Sequence, residues 1–212
     1  MNTSRASVLR RFATLTLASA GYGFGIGIAN SWVYGVRNLV KFPLLIAVTA
    51  ATCAMCYHVL ARFLGAPLGF VNVQRIVLGV FHDISVLLVS LTPIVLYMAW
   101  TMVDPVEGDL GGYPAFLRFN FFAIVLAGCL SVTLRARRDL PATVLDGRRR
   151  AVLLTLWMLT SLAVGGQVCW YIRPFFGWLP GSWDRPWFSG TIPNQEGARS
   201  FYEAVYNMLG GR

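Results

Sequence analysis

The 212 residues are 56% hydrophobic, with a mean hydropathy of +0.59, which excludes an ordinary soluble domain of this size. The net charge of +9 comes from 17 arginines and one lysine, Lys41, set beside apolar runs. That placement points to membrane orientation and contact with anionic headgroups, and away from nucleic acid as a partner.

A spanning helix needs about 20 apolar residues to cross a hydrocarbon core about 30 Å thick. The first stretch of that length, Phe12 to Tyr34, is rich in Gly, Ala and Ser. It opens like a secretory signal, with Arg10-Arg11 and then Ala18-Ser19-Ala20, but the apolar run before Ala18 is too short for one. Phe42 to Phe63 reads as the second span, with Pro43 suited to its first turn. Ile76 to Met102 is the third, with a kink expected at Pro93. Phe116 to Leu134 and Ala151 to Ile172 follow, the last ended by Arg173-Pro174 because the residue before proline is pushed out of the α region.

The connections between these runs are too short for a soluble domain with its own core, so one membrane domain is expected over residues 1–174. Charge parity addresses the Gly-rich stretch. With the Arg135–Arg150 loop cytoplasmic, a crossing by residues 12–34 places eleven Arg/Lys inside and seven outside; without it the split is eight and ten. The first arrangement obeys the positive-inside tendency, giving a cytoplasmic N-terminus and a periplasmic C-terminus. A re-entrant hairpin over 12–34, packed against protein, stays open as an alternative.

Residues 175–212 read as an aromatic-rich periplasmic tail. Phe175, Phe176, Trp178, Trp183, Trp187 and Phe188 have the composition of an interfacial belt. An amphipathic helix is expected over 200–209, started by a capping box between Ser200 and Glu203, with Phe201, Val205, Met208 and Leu209 on its apolar face. The fold class expected is therefore an all-α integral membrane bundle of about five transmembrane helices with a C-terminal amphipathic helix.

Three constellations bear on function. Gly21, Gly23, Gly25 and Gly27 contain two overlapping small-x-x-x-small patterns, which let helix backbones approach closely. The simplest use is packing on the chain's own spans; docking on another subunit is the alternative. Gln167, deep in the last span, is expected to make an interhelical hydrogen bond. Asp83 is the acidic residue inside a span, next to His82 and level with His58 and Arg62 on the neighbouring antiparallel span. These four form an expected intramembrane polar layer. It reads as a clamp pairing Asp83 with Arg62 or a histidine, as haem or chlorin ligation through His58 and His82, or as part of a proton or ion path.

The remaining signals are weaker. Arg135, Arg137, Arg138, Arg148, Arg149 and Arg150 are expected to orient the chain and grip anionic lipid. Cys53-x-x-Cys56 lies on a spanning helix, where two small packing residues are the plainer reading. Asp104, Glu107 and Asp109 lack the spacing of a calcium loop and read as a solvated turn. No nucleophile–base pair, metal-ligand set or phosphate loop is legible, so a non-enzyme is expected.

The segments Gly166-Gln-Val-Cys-Trp-Tyr-Ile-Arg-Pro-Phe-Phe-Gly177 and Ser200-Phe-Tyr-Glu-Ala-Val205 resemble the ends of a group of uncharacterised small bacterial membrane proteins. Those proteins carry a similar W-x-x-R-P-F-x-G and F-Y-E-A-V, and are loosely akin to the Yip1-like multispanning proteins. The resemblance covers mainly residues 166–205. It implies about five spans and a bacterial inner membrane, and no chemistry. Together these readings lead to a non-catalytic subunit that assembles, anchors or joins a larger membrane complex, with other membrane subunits and anionic lipids as partners. A pigment- or haem-binding subunit using His58 and His82, or a component of an ion or lipid transport system, are the alternatives.

Overall fold

A computed structural model of the chain describes residues 2–28, 31–102, 112–140, 145–175, 186–190, 192 and 197–208, and all their regular structure is helical. Among the described residues seven helices follow one another: α1 (Asn2–Ile28), α2 (Trp32–Phe63), α3 (Phe70–Ser90), α4 (Thr92–Met102), α5 (Tyr113–Asp139), α6 (Gly147–Ile172) and α7 (Phe201–Met208).

The first two boundaries differ from the sequence expectation. α1 ends at Ile28, and α2 begins ten residues before Phe42 because Ser31 caps it. Ser31 is extended, and its hydroxyl accepts from the Val33 N–H at 3.1 Å, satisfying one of the free donors of the new helix. Arg37 and Lys41 are thereby helical, and Pro43 lies inside α2 rather than in its first turn. A proline there removes one ladder hydrogen bond, a loss tolerated where neighbouring helices pack around it.

The kink expected at Pro93 is a full break. Leu91 caps α3, its N–H bonding back to Leu88, and α4 restarts at Thr92 with Pro93 as its second residue. α6 is capped by Asp146, whose carboxylate accepts from Arg149 N at 2.7 Å, and ends at Arg173 as expected. At α7 the Ser200 hydroxyl accepts from Glu203 N at 3.3 Å. The Glu203 carboxylate reaches Arg199 N at 2.8 Å rather than Ser200 N, so the box is displaced by one residue.

α1 packs against α2, α3 and α4; α2 packs on α6, α3 on α5, and α5 on α6. The glycines explain this arrangement. A methyl at Gly27 would stand 2.5 Å from the Tyr34 carbonyl oxygen, and one at Gly23 would stand 2.8 Å from that of Asn38. One small-residue face therefore meets α2 at backbone distance. The other face, Gly21 and Gly25, meets Val89 and Thr92 at the α3–α4 break. Both patterns are used within the chain.

Apolar side chains also cover the outside: Trp100 is 91% exposed, and Phe63, Leu17 and Leu9 are similarly open. Burial of apolar surface cannot be the purpose of residues placed there, whereas contact with lipid can. Four helices are long and apolar enough to cross a membrane, over Trp32–Phe63, Phe70–Ser90, Ala115–Asp139 and Gly147–Ile172. The chain thus has the composition and architecture of a multispanning membrane protein. α1, at 27 residues, is of comparable length but is not among the four that are apolar enough.

Candidate functional site

The polar layer around Asp83 is present, with different membership. Arg135 of α5 holds Asp83 in a fork: its Nε donates to Oδ2 at 3.0 Å and its Nη2 to Oδ1 at 2.7 Å. His82 Nδ1 lies 3.1 Å from Asp83 Oδ1, and Asp139, one turn after Arg135, lies 3.6 Å from its Nη1. Gly79 makes the room, since a methyl there would stand 2.9 Å from Arg135 Nε. The Arg135 side chain is 11% exposed and that of Asp83 34%.

The geometry brings a histidine, His82, to Asp83 but not Arg62. Arg62 is exposed in the last turn of α2, where it complements the helix dipole, and Asp83 takes its arginine from α5 instead. The Arg135 guanidinium, expected among the headgroup-contacting arginines, is engaged with Asp83; Arg137, Arg138, Arg148 and Arg149 are exposed, and Arg150 donates to the Arg137 carbonyl at 3.0 Å. The histidines are also apart. His58 packs edge-on against Phe70, ring centroids 5.4 Å apart, with its Nδ1 buried and unpartnered. His82 lies more than three turns past Phe70 on α3, about 18 Å along the axis. Two imidazoles on one haem iron must lie within about 4 Å of each other, as two metal–nitrogen bonds of about 2 Å require, so His58 and His82 do not form such a pair.

A second polar centre, missed in the sequence, joins the start of α2 to the end of α6. Lys41, 0% exposed, donates from Nζ to the Pro174 carbonyl at 2.8 Å, and Asn38 donates from Nδ2 to the Phe175 carbonyl at 2.8 Å. The Lys41 ammonium faces the rings of Phe175 at 5.9 Å and Phe188 at 5.6 Å. Arg173 lies over the Trp170 ring at 3.6 Å, its Nε donating to the Trp170 carbonyl and its Nη2 to that of Ile192. The W-x-x-R-P-F residues therefore form a corner that α2 grips by two consecutive carbonyls. Phe175, expected in an interfacial belt, is buried in that corner against Phe42. Trp187 and Phe188 are half exposed, while Phe176, Trp178 and Trp183 lie outside the described residues, as do Asp104, Glu107 and Asp109.

Other layers carry single links. Tyr57 of α2 hydrogen-bonds Ser161 of α6 and stacks on Trp157 at 4.5 Å, while Trp157 Nε1 donates to the Tyr57 carbonyl at 3.2 Å. Tyr22 of α1 donates to Asn120 of α5 at 2.8 Å. Gln167 does not make the expected bond through its side-chain oxygen, which is buried without a partner. Beside it, Gly166 lets the Phe201 ring of α7 lie against α6, and Tyr202 donates to the Ala163 carbonyl at 2.6 Å. The four cysteines are free thiols within helices. Among the described residues, no three of His, Cys, Asp and Glu converge as a metal-ligand set.

These groups hold helices to one another at separate depths. No protein-family model, curated protein or solved structure matches the chain.

Proposed function

We propose that this chain is a non-catalytic multispanning subunit that assembles, anchors or joins a larger complex in a bacterial inner membrane. The observation that carries this reading is the use of its polar side chains. Asp83–Arg135, the paired bonds Lys41–Pro174 and Asn38–Phe175, Tyr22–Asn120 and Tyr57–Ser161 are links between different parts of the bundle, and among the described residues they do not gather around one reacting centre. α6 supports the same reading, because Val152, Leu159 and Tyr171 leave much of one flank open to lipid or another helix. In the proposed orientation α1 is a fifth crossing, with the N-terminus cytoplasmic and the C-terminus periplasmic, so the exposed arginines of the α5–α6 connection meet anionic lipid on the inner face.

A photo-crosslinking residue at Leu159 tests this at native expression levels. The expected result is a discrete adduct with a second polypeptide, absent when the probe replaces the buried Leu153. Adducts with lipid alone at Leu159, Val152 and Tyr171 would sink the proposal.

A further inference from the structure

At the corner between α2 and α6, neither Lys41 nor Arg173 is paired with a carboxylate among the described residues. Lys41 has three donors, and the hydrogen bond to Pro174 uses one. Two further polar atoms of the corner are buried without partners. One is Asn38 Oδ1, on the turn before Lys41; the other is Nε1 of Trp170, the ring that carries Arg173. Asn38 is 0% exposed and Trp170 6%. Buried polar groups are normally satisfied, so an orphan amide oxygen one turn from Lys41 and an orphan indole N–H on the ring under Arg173 require a cause.

Their chemistry specifies it. An ammonium and an indole N–H need an acceptor, the local charge needs an anion, and the amide oxygen needs a donor. The matching ligand carries anionic oxygens and a hydroxyl together. Depth agrees: α2 has 32 residues, about 48 Å, against a hydrocarbon core of about 30 Å. Divided evenly, the excess leaves about 9 Å of helix beyond each boundary, and the Lys41 backbone, about 14 Å from the helix start, lies about 5 Å inside it, a depth from which a lysine side chain reaches headgroup level.

We propose that this corner binds the headgroup of an anionic, hydroxylated phospholipid. Phosphodiester oxygens accept from Lys41 Nζ and Trp170 Nε1, Arg173 adds charge, and a head hydroxyl donates to Asn38 Oδ1. The headgroup enters beneath residues 186–190, where Phe188 faces Lys41. That segment is tied to the helix end by the Ser189 N–H to the Arg173 carbonyl at 2.7 Å and the Gly190 N–H to the Tyr171 carbonyl at 3.2 Å. The site is independent of the subunit role.

Native mass spectrometry of the purified full chain with added phosphatidylglycerol, phosphatidylcholine or inorganic phosphate tests it. The wild type should retain phosphatidylglycerol over phosphatidylcholine by about tenfold, through the net negative charge and the head hydroxyl that phosphatidylcholine lacks. Trp170→Phe keeps an aromatic ring beside Arg173 and removes the orphan donor together with part of the bicyclic ring. It should reduce retention of phosphatidylglycerol and phosphatidylcholine alike several-fold, about what one neutral hydrogen bond to the shared phosphodiester supplies. Lys41→Met should lower retention of phosphatidylglycerol further than Trp170→Phe does, because the bond it removes is charge-assisted; if that variant does not fold, Trp170→Phe decides. Unchanged retention of phosphatidylglycerol in Trp170→Phe would overturn the proposal and leave the cytoplasmic arginines as the lipid contact. Saturation by inorganic phosphate without any lipid preference would overturn the lipid as the source of the anion.

Discussion

Replacing Asp83 with leucine removes the carboxylate that receives two hydrogen bonds from Arg135 and leaves a guanidinium 11% exposed. Breaking one side of a fully buried pair costs about 3–5 kcal/mol, whereas exposed pairs contribute about 0–1 kcal/mol. Asp83 is one-third open and Asp139 remains near Arg135, so a loss of about 2–3 kcal/mol is expected, between those limits. For a chain of this length that is a fall of about 4–12 °C in Tm. The assay is thermal unfolding in one mild detergent, across Asp83→Leu, Arg135→Leu, the double variant and Arg62→Leu. The double variant should recover most of the loss, because both desolvated charges are gone, and Arg62→Leu should stay within about 0.5 kcal/mol of wild type, as exposed substitutions do. A double variant no better than Asp83→Leu, or an Arg62→Leu as damaging as Asp83→Leu, would refute the α3–α5 pairing.

Three further outcomes are expected. Gly27→Ala should cost about 1–3 kcal/mol in detergent melts, because the methyl would press on the Tyr34 backbone at 2.5 Å and backbone cannot move aside cheaply. Gly128→Ala, with nothing within 4 Å, should be neutral or stabilising by up to about 1 kcal/mol through helix propensity; equal losses at the two positions would contradict the α1–α2 packing. Tyr22→Phe should cost about 1 kcal/mol by leaving Asn120 Oδ1 without its donor, and an unchanged melt would show that this bond is not formed in the membrane protein. In a cysteine-free background, Gly211→Cys should react with an impermeant maleimide in intact spheroplasts and Ser4→Cys should not. Equal labelling would show that α1 does not cross.

Much of the architecture was legible because hydrocarbon imposes a length and apolarity rule on each span. Pro93 and Arg173-Pro174 marked real helix ends, since each constrains its own backbone. The start of α2 was not legible. Arg37 and Lys41 look like loop residues in a hydropathy pattern, and only the cap at Ser31 together with the Gly27–Tyr34 approach makes them helical. The partner of Asp83 was missed for a related reason. Depth along a helix narrows the choice of neighbours but says nothing about azimuth, so Arg62 on the adjacent span and Arg135 on a distant one were equivalent until α3 was seen against α5. The W-x-x-R-P-F segment was recognisable as a pattern, but its role depends on Asn38 and Lys41, more than a hundred residues away. One available signal was the lone lysine itself, a flexible cation set in an apolar run.

Native mass spectrometry of the chain extracted at native expression levels in mild detergent tests the subunit assignment most directly. The expected spectrum contains a species heavier than the 23.4 kDa chain by at least one additional polypeptide, released as a defined mass on collisional activation. A spectrum containing only the monomer with bound lipid, across several mild detergents, would contradict it.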